Sequence, residues 1–175
     1  MRTSRLAASA LLAVTTLALA AGTSAAAPAA RPHAASKTAA CSAAHTKLTV
    51  QNVSRPINHQ LLTLTNTGST KCDAVAHPYL GFDNDQSVTS VVEDSKPQAV
   101  VTLAPGESAH AGIALSAADG SAGHGRWART LRVGLDGGSG PAGEVVNVPL
   151  PAGTWIDDSA AVTYWQADPA DALVW

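Results

Sequence analysis

Cysteine is scarce in this chain: Cys41 and Cys72 are the only two among 175 residues, so at most one disulfide can form. No two of the six histidines (His33, His45, His59, His77, His110 and His124) stand at His-x-His or His-x3-His spacing, which removes the common zinc patterns. A Gly-x-Ser-x-Gly elbow is also missing. Charged residues make up only 14% of the chain, and that scarcity, without any local signature, argues against a catalytic site. No stretch carries the 3.6-residue period of an amphipathic helix.

What is present begins with an export signal. Arg2 and Arg5 precede an apolar, small-residue run over residues 6–22, followed by the cleavable "TSAAA". That order marks residues 1–26 as a secretory signal peptide, and the run is too padded with Ala, Thr and Ser for an anchor. Its removal leaves nine Lys and Arg against 13 Asp and Glu, a formal charge of −4. Nothing in that balance points to nucleic acid or an anionic membrane as partner. The protein is therefore expected outside the cell, with no stable membrane anchor after cleavage.

In an oxidising compartment two cysteines most simply form one disulfide, Cys41–Cys72. The "TAAC" ending at Cys41 also has the small residues of a lipoprotein cleavage site. Such a site follows the apolar run directly, whereas here "RPHAASK" intervenes, and lipidation would leave Cys72 unpaired. Residues 27–40 hold no apolar side chain larger than Ala and read as a flexible leader. Residues 41–175 have the length of one domain.

Within that segment the hydrophobic period is two. "KLTVQNV" sets Leu48 and Val50 on one face, "LLTLTN" sets Leu62 and Leu64 inward, and "LRVGL" and "VVNVPL" alternate likewise. "SVTSVV", "AVVTL" and "HAGIAL" are runs of the same length. Pro-Gly in "APGES" marks a tight turn, and "DGGSGPAG" reads as a longer loop. Pro149 makes its strand an edge or ends it. Short alternating runs separated by turn residues describe an all-β antiparallel sandwich or barrel.

A cysteine opening the domain, Leu62-x-Leu64-x-Asn66, Cys72 followed by Pro78, and Leu103-x-Pro105-Gly106 together resemble the domain of unknown function 4232 family. The resemblance covers residues 41–175 and implies an immunoglobulin-like β-sandwich with an N-terminal disulfide and no established activity. The chain departs from the family pattern at Ala76 and His77, which replace a glycine and an aromatic before Pro78. It also departs in "DNDQS", which lacks the expected glycine, and in "AGIALS", which lacks a tryptophan.

Asp83, Asp85 and Ser87 alternate as in a calcium loop, but the central glycine and distal glutamate are missing, so an acidic inter-strand loop is expected. Asn52 in "NVS" is read as a strand-end residue. Tryptophan is the compositional oddity: Trp127, Trp155, Trp165 and Trp175 outnumber one Phe. The favoured reading is that they fill a core built otherwise from Ala and Val. In "VTYWQ", alternation sets Tyr164 and Trp165 on opposite faces, and "DPADALVW" has a capped helical start at Asp168–Pro169. The tail is expected to fold back and bury Trp165.

The chain is thus expected to be a secreted, non-enzymatic β-sandwich that needs no cofactor. It would act by surface contact in the envelope or outside the cell, its partner unidentified, with a cell-wall polymer or another extracellular protein as candidates. A carbohydrate- or wall-polymer-binding module using exposed Trp, with Trp155 and Trp165 as the candidates, is the alternative, and a secreted hydrolase without a local signature the third.

Overall fold

The computed structural model describes residues 37–175. The expected signal peptide (residues 1–26) and residues 27–36 of the expected leader lie outside the described residues. Ten strands follow one another: β1 (Thr46–Asn52), β2 (His59–Asn66), β3 (Cys72–Ala74), β4 (Tyr79–Phe82), β5 (Ser90–Val91), β6 (Val101–Leu103), β7 (Ser108–Ala114), β8 (Gly125–Asp136), β9 (Pro141–Asp157) and β10 (Ala161–Val162). A short helix, α1 (Pro169–Ala172), ends the chain's regular structure. Among the described residues no helix is long and apolar enough to cross a membrane.

The strands form a five-stranded sheet ordered β1-β2-β7-β10-β5, a pair β3-β6, and a three-stranded sheet β4-β8-β9. All pairings are antiparallel except β10 with β5, which is parallel. Leu62, Leu64, Ile113 and Val162 from the first sheet meet Leu80, Phe82, Leu131, Val133 and Ile156 from the third, in one sandwich-like core. Ala74 and Leu103 of the two-stranded pair join the same cluster.

On β2 the period of two places Gln60, Leu62, Leu64 and Asn66 on one face, all buried. The two leucines supply the apolar centre, and the two amides close its ends. Asn66 Nδ2 donates to Thr70 O (2.8 Å) and Leu103 O (3.0 Å), and its Oδ1 accepts from Gly68 N (2.9 Å). Its own backbone N–H donates to Glu107 O (2.9 Å), and its carbonyl accepts from Gly106 N (2.8 Å). One residue thus ties the 67–71 turn to the 104–107 turn. The latter is a type II turn, with Pro105 second, Gly106 third at φ +85°, and Glu107 N donating to Ala104 O.

The disulfide joins Cys41 to Cys72 at the head of β3. Ala39 and Ala40, read from sequence as leader, belong to the fold: Asp73 N donates to Ala39 O (2.8 Å), and Ala40 bridges Asp73 in parallel. Their backbone groups, not their side chains, hold them. Pro149 lies inside β9, which is an edge strand and continues to Asp157. The glycine-rich "DGGSGPAG" closes the β8–β9 hairpin tightly, with Gly137 N donating to Gly140 O at 2.8 Å.

α1 starts as its residues dictate: Asp168 accepts from Ala170 N (2.8 Å) and Pro169 takes the first turn. It folds back on the sheet as expected, and its contact is with β7. A Cβ on Gly112 would lie 2.0 Å from Ala172 O, so α1 packs its backbone directly on β7. Trp165 is 1% exposed, as expected, and lines a shallow cavity together with residues 74–76 and 96–100. Regular pairing ends at Val162, the alternation ends with it, and Val162 and Trp165 both enter the core.

Candidate binding site

The β8–β9 pair carries a large irregularity. Ala128 pairs with Thr154 and Thr130 with Pro149, so residues 150–153 bulge opposite Arg129 alone. Bulges re-aim side chains and bend the strand that carries them.

Two polar networks hold this one. On the β9 side, Thr154 Oγ1 donates to Pro151 O across the bulge (2.7 Å) and accepts from Gln60 Nε2 (2.8 Å). The buried Gln60 also donates to Asn52 Oδ1 (2.9 Å) at the end of β1, where the sequence placed that asparagine. Gln60 Oε1 has no partner among the described residues.

On the β8 side, Asp83 Oδ1 accepts from the N–H groups of Arg129 and Thr130, each at 3.0 Å. Arg126 donates to Asp83 Oδ2 (2.9 Å) and to Asp85 Oδ1. Desolvation pushes the Asp83 pKa up. The two backbone donors and the Arg126 guanidinium outweigh it and hold the carboxyl below its ordinary value. The carboxylates of "DNDQS" are thus committed to β8.

Above this scaffold Trp127 and Trp155 stand directly opposite each other in the register. Their ring centroids are 5.0 Å apart with planes at 75°, an edge-to-face pair. They are 64% and 42% exposed, respectively. Gly125 makes room for the second indole: a Cβ there would lie 2.3 Å from Trp155 Cζ2. From Trp127 a shallow groove continues past Arg129 and is walled by Leu150, Pro151, Ala152 and Gly153. The two rings together form an exposed apolar patch on this face.

Of the two tryptophans put forward from sequence as sugar-facing, Trp155 is on this face. Trp165 is 1% exposed and offers no ring to a ligand. Trp127 was missed because the bulge shifts the phase of β8. Leu131 and Val133 point inward, so unbroken alternation sends Trp127 inward too. Beyond Arg129 it is Ala128 that is buried, and Trp127 turns out.

The histidines are dispersed. His77 packs its ring against Tyr79 and Tyr164. His110 Nδ1 lies 3.2 Å from the hydroxyl of its cross-strand neighbour Thr63. Burial lowers the His110 pKa against the opposing pull of Asp168. Among the described residues no three His, Cys, Asp or Glu side chains gather as a metal site.

Fold and site together define a small, disulfide-closed, mostly β domain with an exposed aromatic pair. The family model described as Domain of unknown function (DUF4232) matches residues 41–166, and the chain belongs to that family. A comparison with curated proteins finds no match. The motif residues are scaffold: Leu62, Leu64 and Leu103 fill the core, Asn66 ties two turns, and the cysteines close the start of the domain.

Proposed function

We propose that the protein is an exported, non-enzymatic binding module whose working surface is the Trp127–Trp155 face and whose ligand is a sugar polymer of the cell wall. Export is supported by the signal-like N-terminus and by a disulfide of the kind that persists in oxidising compartments. The observation that carries the ligand class is the pair of open indoles held on a polar scaffold. The C–H face of a pyranose carries slight positive charge and matches the negative face of an indole.

The test is retention on washed cell walls and insoluble polysaccharides, with wild-type protein, Trp127→Ala, Trp155→Ala and Gly125→Ala compared. The first two remove an indole. The third displaces Trp155 without touching the core, since its added Cβ meets only a side chain. Loss of one anchoring aromatic is expected to weaken binding about 30-fold, the hot-spot scale of roughly 2 kcal/mol. Equal retention by all four proteins contradicts the proposal. Release of soluble sugars from the polymer would instead make the protein a hydrolase.

A further inference from the structure

The groove beside the aromatic pair contains one ionisable side chain, Arg129. Strand β8 carries three arginines, and the other two are occupied. Arg126 binds Asp83 and Asp85, and Arg132 Nη1 donates to Asp85 O at 3.2 Å. The side chain of Arg129 is exposed and has no hydrogen-bond or ion-pair partner among the described residues, while its backbone N–H donates to Asp83 Oδ1. The bulge aims it: Arg129 is the residue left unpaired opposite residues 150–153, two positions along β8 from Trp127. That separation is roughly 7 Å, within reach of a substituent on a sugar stacked over the indole.

The acids nearest in sequence to Trp155 are engaged. Asp157 accepts from Ala117 N and Ser159 N, and Asp158 from His124 N. Asp83 is held by Arg126 and the β8 backbone. These carboxylates keep their charge, but none of them lines the groove, whose one ionisable residue is Arg129; its lining is therefore cationic in a chain whose full-length formal charge is −2.

We infer that the polymer bound at this face is anionic, its carboxylate or phosphate groups paired with the Arg129 guanidinium while the sugar rings stack on Trp127 and Trp155. This inference rests on the aromatic face being the binding surface, as proposed above. A guanidinium offers a planar fork of donors that matches either oxyanion, and such charge-assisted contacts are stronger than neutral ones. Because the chain as a whole is acidic, the attraction is local, so selectivity resides in this contact and not in long-range steering.

The experiment measures affinity by titration with four soluble probes. Oligogalacturonate and its fully methyl-esterified form share a ring but differ in charge, as do phosphorylated dextran and dextran. Wild-type protein is expected to bind a charged member on the order of tenfold more tightly than its neutral counterpart, the scale of one charge-assisted hydrogen bond. Whichever pair shows the preference identifies carboxylate or phosphate as the group read. Arg129→Gln should abolish the preference and Arg129→Lys should keep part of it. Folding of both variants is checked by their melting temperatures.

Equal binding of charged and neutral probes overturns the inference and leaves the aromatic face standing. A preference that survives Arg129→Gln also overturns it. No binding of any probe, with Trp127→Ala indistinguishable from wild type on cell walls, overturns the aromatic reading and the inference together.

Discussion

Asn66 offers the sharpest test of how the scaffold is held. Its side chain makes three hydrogen bonds to backbone groups, to Thr70 O, Leu103 O and from Gly68 N, and it is 1% exposed. Each such bond contributes about 1 kcal/mol net. Truncating a buried side chain to Ala adds a cavity cost of about 1 kcal/mol. Asn66→Ala should therefore lower stability by about 3–5 kcal/mol, a large share of the roughly 5–15 kcal/mol of a whole domain.

Asn66→Asp distinguishes hydrogen bonding from packing. The carboxylate keeps the acceptor for Gly68 N but loses both donors and faces two carbonyl oxygens. Its pKa in the folded state should rise above the unfolded value. Its penalty is then full at neutral pH and fades as pH falls through that raised pKa, where the acid can donate again. Urea unfolding of both variants and wild type at several pH values measures this through the transition midpoint at constant m. A cost under about 1 kcal/mol for Asn66→Ala, or an Asn66→Asp penalty that ignores pH, would refute the argument.

Other expectations follow from the same framework. Cys41 and Cys72 should resist alkylation until reduced. Opening their 31-residue separation should cost about 4 kcal/mol of loop-closure entropy, read from the melting of reduced, alkylated protein. Gly112→Ala puts a Cβ into the Ala172 carbonyl, so it should lift α1 from β7 and speed amide exchange in residues 168–175 while the core stays protected. Because the folded pKa of Asp83 is depressed, its contribution is fully present above the ordinary carboxylate value of 3.8 and is lost as pH falls through the lowered one. The exciton coupling of Trp127 with Trp155, read by far-ultraviolet circular dichroism, should hold at neutral pH and weaken in that acid range. Asp83→Asn should remove this transition.

Much of the fold was legible because the period-two pattern is local. Leu62 and Leu64 announce the inward face of β2, and Asp168–Pro169 announces the start of α1. What α1 covers was not legible, since it depends on Gly112, far away in sequence, leaving room for a backbone contact. The binding face was half legible. Trp155 lies on a strand whose alternation survives the bulge: Val148 and Leu150 before it and Thr154 and Ile156 after it are all buried. Trp127 lies past a phase shift imposed by Asp83 and by the pairing of β8 with β9, neither visible in the residues flanking it. Ala39 and Ala40 escaped notice because a backbone bridge leaves no mark on side-chain pattern.

The central claim is that two of the four tryptophans form the contact surface and a third is purely structural. Each indole gives its own N–H resonance, so a titration of labelled protein with soluble wall polysaccharide reads all four at once. The account predicts that the Trp127 and Trp155 signals shift together and saturate with one affinity, while Trp165 stays still. Shifts at Trp165, or none at the Trp127–Trp155 pair while the polymer demonstrably binds, would contradict it.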